Sequence, residues 1–494
     1  MNTFRTNSFW LVCVLAFSIS VDLVWHSYVG FVRDDAYITY RYAENIANGA
    51  GFVYNTGEHV YGTSSPGLAV FLAAWLNIFP NPLNAALGLD ILASTVSLLL
   101  IWKLLEHFSI PVEGRILSLF ILTWSDKLLL HFMEGMENPL VVSCMIASLY
   151  FMVKEKPIAA GFLAGWMLWL RLDSALWVLV LGLVGWFCWR RNTIFFLLVT
   201  GFVYLPWLIF AQLYFGSFIP LTAIAKQAAY GIGERPWTDR FMVLYGWLAP
   251  FTILGHPVWA RIASFLTISI AACGVWRYRK ILFVQVIALF LVLQSSAVIL
   301  LNMTVEQRYM VYPLYALLIL LGFGILAVWP SISLRRIADL VLLLLYGACA
   351  FVFAFPRIEH FRDLQRYVND MTLTPLGKFL KQHSPTDSVV FLEPLGYVGY
   401  YSERRMLDAV GLATPAMVPL IRAGNNWDQI IARLDPDYLV LHCDDAGRMK
   451  SSKSDYGLLI RFDPLDFESG VKWKRDSAVQ RNACYEIHAK SATQ

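Results

Sequence analysis

The chain has 494 residues, 58% of them hydrophobic and only 15% charged, with a mean hydropathy of +0.56. That balance excludes a large soluble enzyme, and apolar runs of about 20 residues are long enough to cross a bilayer. The formal net charge of +4 excludes little, because about half of the charged residues lie after Arg357, outside the apolar region. This uneven distribution predicts a membrane domain over residues 1–356 and a second domain over 357–494.

In chain order, Arg5 followed by the apolar run Phe9–Ser20 imitates a secretory signal. The run continues past Asp22 to Val32 without a small-residue cleavage site, so it reads as a retained helix. Asp22 and His26 are four residues apart and can neutralise each other on one helix face, the plainer alternative to a catalytic role.

The loop Arg33–Pro66 comes next and opens with two adjacent carboxylates, Asp34 and Asp35. Neighbours on a helix point about 100° apart. Read from the residues alone, the two acids form an interfacial charge pair, with a catalytic role as the alternative. Tyr37, Arg41 and Glu44 share one helical face; Tyr37 and Arg41 are candidate substrate contacts, or the face is simply solvated.

Short loops rich in Lys and Arg face the cytoplasm. Fixing the basic loops at 103–115, 154–156, 190–191, 277–280 and 335–336 on that side gives about eleven spans: 9–32, 84–105, 116–132, 138–153, 157–171, 174–189, 193–213, 258–276, 281–301, 309–329 and 337–355. Two apolar pieces, Leu68–Phe79 and Phe241–Leu254, are too short to span and read as helices along the outer interface. The first has Ser64 or Ser65 as N-cap and Pro66 at the first helical position.

This topology gathers the polar chemistry on the outer face. Glu134 and Glu137 are candidate acceptor or metal contacts, or helix-terminus chemistry; Arg171 and Asp173 are candidate substrate contacts, or a salt bridge at a helix end. Arg308, with Tyr309 beside it, and Lys226 suit contact with a lipid phosphate, with a snorkelling anchor as the alternative for each. Asp90 has no evident partner. The sequence GFGILA at Gly322–Ala327 fits the dinucleotide fingerprint on paper, but it lies inside an apolar helix and reads as helix-packing glycine.

After Phe355, a polar helical segment (Arg362–Gln382) leads into strand-like stretches alternating with helices, among them SVVFLEP, DYLVLHC, ESGVKWKRD and ACYEIHA. They predict an α/β domain of about 135 residues that covers or binds. Cys443 and Cys484 are either a disulfide or two buried thiols.

The chain has no Walker loop, no HExxH and no convincing Ser/His/Asp set. Paired carboxylates, aromatics and separated bases at one membrane face suit group transfer from a lipid phosphate. A carboxylate takes the proton of an acceptor hydroxyl, and Arg or Lys stabilises the departing phosphate. Nucleotide sugars are generally unavailable outside the cytoplasm, which favours a polyprenyl-phosphate sugar donor.

The stretch RDDAYITYRYAENIANGAGFVYNTGEHVYGTSSP resembles the first extracytoplasmic loop of the GT-C glycosyltransferases, most closely the bacterial branch related to the mycobacterial terminal β-arabinofuranosyltransferase. GMENPL, LRLDSALW, IPLTAIAKQ, QRYMVYPLYALL and GYVGYYSERRMLDAVGLATP fit in the same order. The resemblance implies transfer outside the cytoplasmic membrane of bacteria, a catalytic base among Asp34 and Asp35 with the other acid orienting sugar hydroxyls or a metal, a sugar pocket that Tyr37 and Arg41 could line, and a membrane-parallel helix after the loop. At His59-Val60-Tyr61 the chain departs from relatives that carry an acidic residue just before the Gly-Thr pair, which makes His59 a candidate acceptor contact.

The expectation is thus a polytopic α-helical GT-C-type enzyme with an extracytoplasmic α/β domain. It would transfer D-arabinofuranose with inversion from polyprenyl phosphate to a hydroxyl of a surface glycan or protein. The residues point to no definite cofactor and leave a divalent cation open, and nucleic acid is not an expected partner. Hexose or aminosugar transfer is the second enzyme reading. A flippase or transporter for a lipid-linked sugar is the reading from another class.

Overall fold

The computed structural model describes residues 2–78, 80–230, 236–252, 257–300, 307–330, 337–448, 455–464, 479 and 482–491. It is a helical protein with a small C-terminal sheet. Among the described residues, six helices are long and apolar enough to cross a membrane: Ser8–Tyr28, Pro82–His107, Arg191–Phe215, Pro257–Arg277, Leu282–Leu300 and Arg308–Val328. Shorter apolar helices, among them Asn138–Val153 and Pro157–Leu170, occupy further predicted spans.

Two predicted helices are shaped differently, each for a legible reason. The first stops at Tyr28 rather than residue 32, because Gly30 turns the backbone to φ +58°. The predicted span 116–132 is two helices, Val112–Thr123 and Asp126–Phe132, broken at Trp124–Ser125. The second begins with Asp126 and Lys127, both buried and fastened to the turn after the helix Trp237–Trp247. Asp126 Oδ1 accepts from Thr252 N at 3.0 Å, and Lys127 Nζ donates to the carbonyls of Trp247 and Ala249 at 2.9 and 3.0 Å. Buried charge is tolerated there because it is bonded.

The short helix after the first loop runs Pro66–Leu76. Pro66 sits at its first position, and Ser65 occupies the N-cap position without making a side-chain cap bond.

The chain divides into two compact units. One comprises Met1–Gly30, Leu87–Pro206 and Gly233–Glu359; the other comprises Phe31–Ala86, Trp207–Ile232 and His360–Gln494. The sequence boundary at residue 356 thus lies beside the junction at 359, but the second unit also takes in the first loop and a segment around Lys226.

In the first unit, glycine lets helices approach. Gly324 lies against the backbone of Ile270, Gly274 against that of Gly324, and Gly322 against Ser118. A methyl group at any of them would collide with its neighbour, which accounts for GFGILA as a packing surface.

In the second unit, five strands among the described residues form one mixed sheet: β1 (Val389–Leu392), β2 (Arg405–Asp408), β3 (Tyr438–His442), β4 (Tyr456–Phe462) and β5 (Tyr485–Lys490). Their order is β2-β1-β3-β5-β4, with β1 parallel to β2 and β3, and β5 antiparallel to β3 and β4. Phe391, Leu439, Leu441, Met417, Ile430 and Ile431 build the core on one face. The expected ESGVKWKRD strand lies outside the described residues.

The outer edge of β2 would expose unpaired backbone groups, and the first loop covers it. The Asn55 side chain accepts from Met406 N and donates to Met406 O, both at 3.0 Å, and Arg405 Nε meets Glu58 Oε1 at 2.6 Å. The disulfide Cys443–Cys484, with Cα atoms 5.5 Å apart, joins the end of β3 to the start of β5.

Candidate functional site

The first loop opens as a helix, Asp34–Ala47, whose Ala36–Ala43 stretch is buried. Asp34, Tyr37, Arg41 and Glu44 follow at i, i+3, i+7 and i+10, a spacing that forms one stripe. That stripe is covered by the helix Leu395–Ser402.

Asp34 holds the start of this second helix. Its two carboxylate oxygens accept from Gly396 N and Tyr397 N, each at 2.9 Å. Arg41 holds the other end, donating to the carbonyls of Gly399 and Arg404 at 2.7 and 2.6 Å while stacking over Tyr54 at 4.4 Å. A carboxylate at the N-terminus and a guanidinium at the C-terminus each complement the helix dipole.

Between these charges the Tyr37 ring packs on Tyr397 at 4.0 Å, with Tyr400 and Tyr401 alongside at 5.1 and 5.7 Å. Tyr400 donates to Glu44. Gly396 is required here because a side chain would strike the Asp34 carbonyl. The face expected to line a sugar pocket is therefore a packing face for Tyr37 and Arg41, and neither the solvated reading nor the sugar-lining one describes it. Burial pushes the Asp34 carboxyl up to about 6, against the pull of its two N–H donors, and raises Glu44 as well.

Asp35 turns away from this stripe. Its Oδ2 lies 3.8 Å from Lys226 Nζ, and 32% of its side chain is exposed against 14% for Lys226. Lys226 is carried by the helix Leu221–Tyr230, whose start is tied to the first loop by Leu221 N donating to Tyr61 O at 2.8 Å. His59 is exposed and stacks on Tyr214 with ring centres 4.0 Å apart.

The remaining candidates belong to the other unit. Arg171 is buried and forks onto Asp173, Nε to Oδ1 at 2.9 Å and Nη2 to Oδ2 at 2.7 Å, while Nη1 reaches Glu137 Oε1 at 2.7 Å. Glu137 occupies the N-cap position of Asn138–Val153 but makes no cap bond; its carboxylate serves Arg171 instead. The Tyr309 ring lies 5.0 Å from the Arg171 guanidinium and 5.2 Å from that of Arg308, itself buried. Glu134 is wholly buried with both oxygens 3.3 Å from His131 Nδ1. Among the described residues no group of three or more His, Cys, Asp or Glu converges to hold a metal ion.

Sequence reasoning missed the residues that fix these candidates. Tyr397, Tyr400 and the carbonyls of Gly399 and Arg404 lie about 360 residues beyond their partners. Tyr312, which donates to Asn138 Oδ1 at 3.1 Å beside the Arg171 cluster, was hidden in an apolar helix. The signal for the former was the run of aromatics in GYVGYY, too dense for a solvated helix.

Residues 360–488 match a domain of unknown function, DUF8728. That match lies within the second unit and includes the helix that Asp34 and Arg41 bracket. No curated protein matches the chain.

Proposed function

We propose that the protein is a membrane glycosyltransferase of GT-C type that moves a sugar, D-arabinofuranose in the first instance, from polyprenyl phosphate to a hydroxyl of a cell-surface glycan or protein. The proposed setting is the outer face of the bacterial cytoplasmic membrane. The observation that carries the reading is the division of labour between adjacent acids: Asp34 is committed to two backbone N–H groups, while Asp35 stays partly open 3.8 Å from an ammonium.

In this reading Asp35 takes the proton of the acceptor hydroxyl as its oxygen attacks the anomeric carbon. The bond from that carbon to the phosphate oxygen breaks, the phosphate departs with the electron pair, and the sugar is inverted. Lys226 stabilises the charge on the leaving phosphate. Asp34 and Arg41 act as positioning residues.

The test is sugar transfer by the full chain in lipid nanodiscs, with synthetic polyprenyl-phosphate donors bearing arabinofuranose, hexoses or aminosugars and membrane extract as acceptor. Asp35→Asn should lose at least ~10²-fold with unchanged thermal stability, the range for removing a general base. Consumption of a hexose or aminosugar donor alone replaces the pentose assignment. Donors that cross the membrane intact would instead support a lipid-linked sugar flippase.

A further inference from the structure

In the first unit, a cavity of about 20 Å³ lies among the helices Ser8–Tyr28, Pro82–His107, Val112–Thr123, Asp126–Phe132 and Val311–Val328. A space of roughly 10–15 Å³ on this measure admits one water-sized occupant. Its polar lining is all oxygen: Ser18, Asp22, Ser94, Ser97, Thr123 and Tyr315.

Three of these atoms lack hydrogen-bond partners: Asp22 Oδ2, Ser94 Oγ and Thr123 Oγ1. Their residues are only 3%, 5% and 5% exposed. Ser97 is already engaged, donating to Ser94 O at 2.8 Å and accepting from Tyr315 at 3.2 Å. Among the described residues no Lys, Arg or His lines the cavity. The expected neutralisation of Asp22 by His26 does not occur among the described residues, and His26 Nδ1 is itself without a hydrogen-bond partner. Asp90, one helical turn before Ser94, accepts from Gly135 N and adds its field to that of Asp22.

A buried carboxylate with no cationic partner either holds a proton or has its charge met by a bound cation. Hydroxyl and carboxylate oxygens are hard donors, suited to hard cations rather than to zinc or copper. One carboxylate in the lining balances one positive charge, and the volume admits one small occupant. We propose that this cavity binds a dehydrated monovalent cation of the Na⁺ class, held by Asp22 with Ser94 and Thr123 as neutral ligands. The site is independent of the transferase reading.

The experiment is thermal unfolding of the purified full chain in NaCl, KCl or choline chloride at equal ionic strength. An ion that binds only the folded state raises its melting temperature, here by about 2–5 °C in NaCl over choline chloride. Asp22→Asn and Thr123→Val should each abolish the increment, and Thr123→Val keeps the test open if Asp22→Asn does not fold. Equal melting temperatures in all three salts would mean a protonated Asp22 beside a water molecule and would overturn the proposal. So would an increment of the same size in KCl, or one that survives in both variants.

Discussion

Lys226 Nζ lies 3.8 Å from Asp35 Oδ2, a separation beyond hydrogen-bonding distance but within ion-pair range. The pair is brought together from residues 191 positions apart by the packing of Leu221–Tyr230 onto the unit that holds the first loop; Ala225 on that helix faces Gly411. Coulomb attraction at this distance is weak near solvent, about 1 kcal/mol in water and about 4 kcal/mol at an effective dielectric of 20. Such a pair contributes little to folding, so its substitution should be felt in function. Lys226→Gln is expected to lower kcat by about 10–10²-fold at unchanged melting temperature, and Lys226→Arg to restore part of it. Loss of stability without loss of turnover in nanodisc assays would assign the pair to structure.

Asp34 makes the opposite prediction. Replacing an N-terminal anion that accepts two backbone N–H groups leaves at least one buried donor unmet, at a cost of about 1–3 kcal/mol. Asp34→Asn should lower the melting temperature by several degrees, and the loss should be local. Hydrogen exchange at the amides of Gly396 and Tyr397 should accelerate by at least ~10-fold, while exchange in β3 is unchanged. Unaltered protection at those two amides would show that the bracket does not hold the helix.

The same carboxylate makes stability depend on pH. Asp34 and Asp408 are both pushed up to about 6 by burial, although Asp408 also accepts from Val410 N and Ala413 N at 3.0 Å. A folded-state pKa above the unfolded value means that the folded chain binds the proton more tightly. The resulting stabilisation is fully present below about pH 4 and is lost as pH rises through about 6. Between pH 7.5 and 5.5, the parent should therefore gain melting temperature relative to Asp34→Asn and Asp408→Asn. Parallel pH profiles in parent and variants would rule out both groups as the source.

What the sequence made legible was whatever depends on local periodicity. Long apolar runs became helices near the expected bounds, the glycines of GFGILA became packing contacts, and the face shared by Tyr37, Arg41 and Glu44 is a real stripe. The partner of that stripe was not legible. Helical spacing fixes which side chains point together, but it carries no information about whether sugar, solvent or a helix from residue 395 onward covers them. The break at Trp124–Ser125 was missed for a related reason. Asp126 and Lys127 fall inside the predicted span 116–132, and only Thr252, Trp247 and Ala249, more than 100 positions later, turn them into a fastening point.

The Arg171 cluster tests how buried charge is held. Arg171 places three of its donors on Glu137 and Asp173, and a lysine cannot reproduce that planar fork. Arg171→Met strands the fully buried Glu137 carboxylate, at a cost of about 3–5 kcal/mol. Arg171→Met combined with Glu137→Leu removes both charges and should recover a large part of the loss in urea or thermal unfolding. Additive destabilisation in the double variant would mean that the two side chains act separately.

The disulfide supplies a test that bears on both fold and location. Cys443 and Cys484 are 41 residues apart in sequence, and Cys443 N also donates to Cys484 O at 3.1 Å. Closing a loop of that size removes unfolded-state entropy worth about 3–4 kcal/mol in the chain-entropy description. Cys443→Ser should lower the melting temperature, and reducing agent should lower that of the parent but not of the variant. Disulfides persist where thiols are not kept reduced, which is the outer side of a bacterial cytoplasmic membrane. In intact cells, a membrane-impermeant maleimide should therefore label these two cysteines only after reduction. Labelling that needs no reduction would show that the pair is open. Labelling that occurs only after the cells are lysed would place the domain inside and remove the outer-face setting on which the proposed donor depends.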